Sequence, residues 1–551
     1  MKARFPMHPS AGTRQYDRRS MIYAVEEFTD AEQDILRPYF TNLDQPVFAL
    51  VNLPEVVKGA LFARYSRSDK SLRRLFLDEF VGDLDVSGDL SFDASVGLSR
   101  AEQLYDRVFL EYGDDSVAQL GGVHLACEQS SNLLTKILEW GRLMSYLEQS
   151  TRYIPYDTTL SGRFRYVRPP HVLSSPLGAR YVGTMDGFFD SYRSMLPTML
   201  EWARERYPKE PGDSDFVYKQ TIKAKACDAI RGVLPAATLS NVGIYGSGQA
   251  FEALVLRMRA HPLAEARSYA ELVLDELRKV VPSFLTRIDR PERGGVWRDY
   301  LIETRERTAD LAQQLFTDVA STPSAEVELV DFDPDGEDKV LAAILYPHTT
   351  LSEHVVLDRV RRMSAAERMA LMEAYVGARE NRRHKPGRAF ERTNYRFDIL
   401  GDYGAFRDLQ RHRMLTIEWQ TLTPRHGYET PPAISEAGLD HAFATAMERS
   451  AAFYDDIVTQ FPHDASYAVS LAYRVRYAMQ MNAREAMHLT ELRSSPAGHP
   501  TYRRVAQRMH TLIGQHHPAI AAAMRHVDYG EYELERLHAE RAAEARRASP
   551  L

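Results

Sequence analysis

Apolar residues recur at the spacing of one helix face in three long stretches of the chain. In SNLLTKILEWGRLMSYL (131–147) they fall at 133/134, 137/138, 143/144 and 147, close to the 3.6-residue period that gives a helix one buried face. LAEARSYAELVLDELRKVV (263–281) and TYRRVAQRMHTLIGQ (501–515) repeat the pattern, and all three are predicted as helices. QRHRMLTIEWQ (410–420) reads as a further, partly buried helix with Arg411, His412 and Arg413 in a row. Three consecutive side chains fan round more than half a helical turn, so they cannot share one solvent face. An anionic or electron-rich partner is therefore expected for them. The pattern breaks most clearly in VASTPSAEVELVDFDPDGEDKV (319–340), whose Pro, Ser, Asp and Glu content reads as an interdomain linker.

The segments on either side of that break are alike. EALVLRMRAHPLAEARSYAELVLDELRKVVP ends at Pro282, and HLTELRSSPAGHPTYRRVAQRMHTLIGQHHP ends at Pro518. Arg257 and Arg493 are 236 positions apart, as are the two closing prolines. EWGRLMSYLEQ and QRHRMLTIEWQ pair in the same way at a slightly larger offset. A tandem duplication follows, with residues 1–318 as the first domain and its extension, 319–340 as the linker, and 341–551 as the second domain with a helical tail.

Composition narrows the class. The chain has 551 residues, 44% apolar and 26% charged, within the range of a water-soluble globular protein. No run of about 18 apolar residues is present, which excludes a membrane-spanning helix, and the polar N-terminus lacks the core of a secretion signal. Cys127 and Cys227, both expected in helical segments, are the only cysteines; they exclude a disulfide framework and any CxxC metal site. A cytoplasmic protein is expected. Net charge is −7, whereas a binder of nucleic-acid polymer carries a basic excess. Local basic clusters must therefore serve a local anion or lie in solvent. No HExxH and no His/Cys cluster points to a metal.

Two segments carry candidate chemistry. In SYLEQSTRYIP the residue before Pro avoids helical geometry, and an extended chain there would point Glu148, Ser150 and Arg152 the same way. An acceptor, a hydroxyl and a guanidinium on one face suit a sugar phosphate; a solvated loop strand is the plainer alternative. MNAREAMHLTELR places Asn482, Ala486, Leu489 and Arg493 on one helical stripe, with its ends roughly 16 Å apart, and makes Arg484 and His488 neighbours. That face could meet a long planar ligand, or be an ordinary surface salt-bridged through Glu485 and Glu491. YGSGQ (245–249) reads as a flexible turn rather than a phosphate loop, and GQHHPAI (514–520) as a helix terminus.

Together these segments resemble the flavin-dependent thymidylate synthases, the ThyX family. Its signature is an Arg-His-Arg triplet, then a Ser-x-Asn-Glu-x-Ser-x-Arg-Tyr stretch, an Ala-Arg-x-x-Leu-Pro step, and an Asn-x-Arg helix ending in Leu-Arg. The first half matches at ARYS (63–66), SYLEQSTRY (145–153) and AIRGVLP (229–235), but its triplet position reads Trp140-Gly141-Arg142 and its Asn-x-Arg positions fall at about Gly246 and Gly248. The second half keeps Arg411-His412-Arg413 and NAREAMHLTELR, yet has EWQTLT (418–423) in place of the cradle and Ser466 near the expected arginine.

The resemblance implies an α+β fold of two ThyX-like halves, each of helices packed on a small antiparallel sheet, joined as a pseudo-dimer. It implies one composite site. Ser66, Arg411, His412, Arg413, Asn482, Arg484 and His488 would bind FAD. Glu148, Ser150, Arg152 and Arg231, with Arg411 and Arg493, would hold a dUMP-like nucleotide, and Arg493 would polarise its ring. The second, pseudo-symmetric site would be dead. The implied reaction is reductive methylation of dUMP to dTMP with methylenetetrahydrofolate, reduced FAD and NADPH, no metal and no cysteine nucleophile, in a homodimer of pseudo-dimers. Asp114 and Gln119 depart from the family's His-x-x-Pro-Phe-Glu-His stretch, and RRHKPGRAFER in the second half is an irregular version of it. These departures leave open a flavin-dependent modification of another pyrimidine nucleotide, and a catalytically silent nucleotide-binding scaffold.

Overall fold

Buried and exposed positions alternate along β3 (Leu239–Ser247), the two-residue period of a strand with one face on a core. In the computed structural model, β3 is the centre of a three-stranded sheet, between β1 (Gly122–Ser131) and β2 (Met144–Glu148). The structure describes residues 27–40, 72–79 and, with a few positions left out, 121–534, together with scattered positions elsewhere. A four-stranded sheet in the order β4-β5-β7-β6 is built from β4 (Val327–Phe332), β5 (Asn394–Asp402), β6 (Leu415–Trp419) and β7 (Arg474–Asn482). Its last three strands repeat the order of the first sheet.

The repeat holds to the residue. Met144 pairs with Gly246 and Glu148 with Val242 in one sheet; Leu415 pairs with Met481 and Trp419 with Tyr477 in the other. The edge strands are thus 271 positions apart and the central strands 235. Both halves also insert a short helix after the equivalent strands β1 and β5, α1 (Asn132–Leu138) and α7 (Tyr403–Leu409). A long helix follows the edge strand, α2 (Gly178–Arg206) and α8 (Asp440–Val458). The first half alone then adds α3 (Asp215–Ile230), which accounts for part of the change in offset, as does the greater length of α2. Two more helices close each half: α4 (Gly248–Arg259) and α5 (Ala264–Arg278), then α9 (Ala483–Arg493) and α10 (Pro500–His516).

Equivalent residues meet on the local pseudo-twofold axis. Pro235 and Ser470, 235 apart, form an antiparallel bridge. The N–H of Ala236 donates to Val469 O at 2.8 Å and that of Leu471 to Leu234 O at 2.9 Å. Backbone pairing here satisfies groups that burial would otherwise leave unpaired. The long helices α2 and α8 pack together, and Arg449 donates to Gly187 O at 2.6 Å.

The chain divides into two compact units. Both sheets lie essentially in the one formed by His124–Gly246, Ala250–Asp275 and Arg287–Leu551. The other takes Met1–Val123, Ser247–Gln249 and Glu276–Thr286. In it Thr29 and Glu32 form a capping box on the helix Asp30–Leu36, and Phe40 meets Phe76 edge-on at 5.5 Å.

Several expectations change. Residues 131–147 are not one helix: α1 ends at Leu138, and Met144–Glu148 is a strand. The apolar spacing fits helix before Gly141 and strand after it. Likewise the 410–420 stretch is a turn followed by β6, not a helix. Within 319–340, Val327–Phe332 pairs along β5 as an edge strand. Cys127 lies in a strand and Cys227 in a helix, both buried. YGSGQ is a direct strand-to-helix junction rather than a flexible turn. The 263–281 and 501–515 helices stand as expected, and α10 does end at the histidine pair.

Candidate active site across the two halves

The junction between α7 and β6 carries the triplet, and its backbone leaves helical geometry at Arg411. That release sends the three side chains in different directions. Arg411 lies between the halves: its Nη2 is 3.4 Å from Glu148 Oε2 and 3.0 Å from Asp408 Oδ1. His412 is buried, 7% exposed. Its Nδ1 is 2.7 Å from Glu485 Oε1, and its Nε2 accepts the Nε–H of Arg493 at 3.0 Å. Burial, reinforced by the Arg493 charge, holds the imidazole far below its ordinary pKa. His412 is therefore neutral, with its proton on Nδ1 toward Glu485. Arg413 instead lines a cavity of about 240 Å³ with Trp140, Arg142, Arg257 and Thr416.

The first half supplies the other wall. Glu148, at the end of β2, is buried and accepts from Arg407 at 2.5 Å and Lys136 at 3.2 Å. Burial alone would raise its pKa; the charges of Arg407, Lys136 and Arg411 outweigh it and hold the carboxyl at about 2. Past Glu148 the chain turns. Ser150 Oγ accepts the backbone N–H of Arg152 at 3.2 Å, so Glu148, Ser150 and Arg152 do not alternate along an extended strand as expected. Arg152 instead reaches Asp228 through Nε and Nη2 at 3.0 and 2.9 Å, and Tyr502 Oη through Nη1 at 3.0 Å. Arg231 Nε lies 3.3 Å from Asp228 Oδ1, and its Nη1 is 4.0 Å from Asp408 Oδ2. Arg493 Nη1 is also 4.0 Å from Asp408.

Four guanidiniums, those of Arg152, Arg231, Arg411 and Arg493, thus converge on two carboxylates, Asp228 and Asp408. Burial would raise both acids, but the arginines outweigh it and hold them ionised well below the carboxylate range. Beside them Lys136 and Arg407 balance Glu139 and Glu148. Taken alone, the four arginines exceed the two aspartates by two positive charges; a third acid, Asp402, lines the cavity beside them, and burial raises its pKa against the pull of Arg231. Among the described residues Arg231 Nη2 and Arg411 Nε have no hydrogen-bond partner although buried. A cavity of about 340 Å³ opens onto Asp228, Arg231, Gly404, His499 and Thr501. Burial drives His499 to about 3 despite the nearby Asp228, so it adds no charge at neutral pH.

Of the residues expected from sequence, Glu148, Arg152, Arg231, Arg411, His412 and Arg493 are brought into this one network. Others are placed differently. Asn482 caps α9, accepting from the Glu485 N–H at 2.9 Å. Arg484 turns toward Pro386 O and Glu391, at 3.0 and 3.3 Å. His488 packs on His412 with ring centres 5.4 Å apart. Ser66 lies outside the described residues. The strand register, carried through the uninterrupted junctions into α4 and α9, places Ser247 and Gln249 opposite Asn482 and Arg484, one residue beyond the expected glycines. It also places Met258, not Arg257, opposite Arg493.

Sequence reasoning missed Asp228, Arg407, Asp408 and Tyr502. Signals existed for three of them: Asp228 precedes Arg231 by three, and Arg407 and Asp408 precede Arg411 by four and three, the spacings at which charges meet on a helix. His412, Glu485 and His488 also present ligand atoms within 4.8 Å of one another. Both His412 nitrogens are already engaged, one of them with a cation, so His412, backed by Glu485, orients Arg493.

Two sheet-and-helix modules that share one buried arginine network define a tandem member of the ThyX class. The family model described as thymidylate synthase complementing protein matches residues 74–283 and again 328–519. The chain belongs to that family and carries its domain twice. Its relatives include the UPF0159 protein of Chlamydia muridarum, 40% identical over 526 residues that span 94% of this chain and 99% of that one. The UPF0159 protein of Chlamydia pneumoniae is 39% identical over 525 residues, with the same coverage. That of Thermoplasma acidophilum is 32% identical over 510 residues, 88% of this chain and 97% of its own. Among the described residues no helix is long and apolar enough to cross a membrane.

Proposed function

We propose that the protein is a flavin-dependent thymidylate synthase with one active site per chain, converting dUMP to dTMP. One observation carries the reading: Arg152 and Arg231 of the first half meet Arg411 and Arg493 of the second with two positive charges in excess of Asp228 and Asp408. A phosphomonoester dianion matches that excess. Arg231 and Arg411 also have N–H groups without a partner among the described residues, available to its oxygens, and guanidinium forks suit phosphate.

Arg493 is held by the neutral His412 and faces the same network. A fixed cation there stabilises negative charge developing on a pyrimidine ring, an electrostatic contribution of about 3–4 kcal/mol if it acts like an oxyanion donor. Asp228 and Asp408 keep the arginines oriented before the nucleotide arrives, so little reorganisation accompanies binding. Arg413 and Arg142, lining the smaller cavity, offer cations to a flavin diphosphate. That cavity is below the roughly 300 Å³ at which ligand pockets begin, so it takes part of the cofactor. Arg413 and Arg142 would hold part of FAD there, which, reduced by NADPH, would supply a hydride, with the methylene carbon coming from methylenetetrahydrofolate.

Complementation of a thymidine-requiring strain tests the reading, with Arg152→Ala and Arg411→Ala as separate variants. Growth with the wild type and loss with both variants supports it. A purified protein that is yellow and bleached by NADPH, yet fails to convert dUMP, would transfer the site to another pyrimidine nucleotide.

A further inference from the structure

The duplicated fold contains a second place equivalent to the arginine network, and its character is different. By the strand and helix registers, Trp419 stands where Glu148 does, Trp140 where Arg411 does, Ile137 where Asp408 does, and Ser466 where Arg231 does. These four line a cavity of about 860 Å³, more than twice the volume of the one beside Arg231. The two indole rings lie edge to face, 5.9 Å between centres, and Tyr403 adds a third aromatic wall.

One cation borders both this cavity and the smaller one beside Arg413. Arg257 places its guanidinium 5.4 Å above the Trp140 ring, and among the described residues its buried Nε and Nη2 have no hydrogen-bond partner. A buried charge without a counter-ion is costly, and Trp140 compensates only a part through its ring quadrupole. Arg305 adds a second cation to the lining and Glu418, among the described residues, the one carboxylate. Burial, reinforced by Arg305, brings His261 to about 4, so it is neutral at physiological pH. Although Trp419, Trp140 and Ile137 replace charged cradle residues with larger or apolar side chains, the space between them stays open.

We propose that this second cavity is a binding site for a planar aromatic ligand bearing an anionic group, with the ring against Trp140 and Trp419 and the anion on Arg257. The volume falls in the range of pockets for small molecules of cofactor size. The expectation of a dead second site gives way to one with a changed ligand. Nothing in this inference depends on which nucleotide the arginine network holds.

The test uses the full-length protein and two dyes of similar shape, anionic 8-anilinonaphthalene-1-sulfonate and uncharged N-phenyl-1-naphthylamine. Both are titrated by fluorescence and calorimetry. One saturable anionic-dye site per chain is expected. Arg257→Met should weaken the anionic dye at least tenfold and leave the neutral dye within twofold. Thr421→Trp, which fills this cavity and not the one lined by Arg413, should abolish both, whereas Arg152→Ala should change neither. Equal weakening of both dyes by Arg257→Met, or dye binding untouched by Thr421→Trp, would overturn the proposal. Displacement of the dye by adenosine monophosphate or by indole-3-acetate then separates a phosphate-bearing ligand from a carboxylate-bearing one.

Discussion

Arg493 donates its Nε–H to Nε2 of His412 across 3.0 Å, while the other nitrogen of that ring meets Glu485 at 2.7 Å. A neutral ring thereby fixes a cation without competing with it for an anion. His412→Ala should lower thymidylate turnover by about 10²-fold, the scale for losing one preorganised electrostatic contact. It should also reduce unfolding free energy by about 1–3 kcal/mol, because Arg493 and Glu485 are left unpaired. Steady-state turnover and urea denaturation check the two effects separately.

Arg152→Ala strands Asp228 and, on the proposed reading, removes a phosphate donor. Stability should fall by about 3–5 kcal/mol, the usual consequence of breaking one side of a buried pair. The double variant Arg152→Met with Asp228→Leu should recover most of that stability without recovering nucleotide binding. Thermal melts and equilibrium dialysis with dUMP would show the split; recovery of binding in the double variant would argue against a phosphate role.

Glu148 gives a pH signature. Its pKa is about 2 in the folded chain against an ordinary value of 4.5, so its carboxylate binds protons more readily when unfolded. Its contribution to stability is therefore complete above about pH 4.5 and is lost as pH falls from there toward 2. Glu148→Gln should flatten that part of the stability curve, seen as a smaller drop in melting temperature between pH 5 and pH 3 than in the wild type.

Gly232 packs directly against the second half. A Cβ there would lie 2.9 Å from the Ala472 Cβ. Gly232→Val should destabilise by about 1–3 kcal/mol through overpacking, measured by denaturant midpoint, and weaken the arginine network with it.

Much of this was legible in the chain. The α5 and α10 helices follow their periodicity, and the duplication shows in residues spaced 236 apart. The register from strand to strand was not legible, because a one-residue difference separates the central strands from the helices that follow: offsets of 235 at Leu239/Arg474 become 236 at Ala264/Pro500. The 131–147 stretch misled for a physical reason. Leu133, Leu134, Ile137 and Leu138 have helical spacing, and Met144 begins a strand only because it pairs with Gly246, 102 positions away. Arg152 pointed to an anion, but sequence gave no sign that Asp228, 76 positions on, would hold it in place.

The bridge of Pro235 to Ser470 lies at the centre of the paired halves and joins segments of a single polypeptide. A catalytic centre shared between separate subunits vanishes when the protein is dilute; tethering makes the encounter unimolecular and independent of expression level. The fusion also frees each copy to mutate alone. Two identical subunits must accept every substitution at both of their sites, whereas this chain can specialise one and reassign the other.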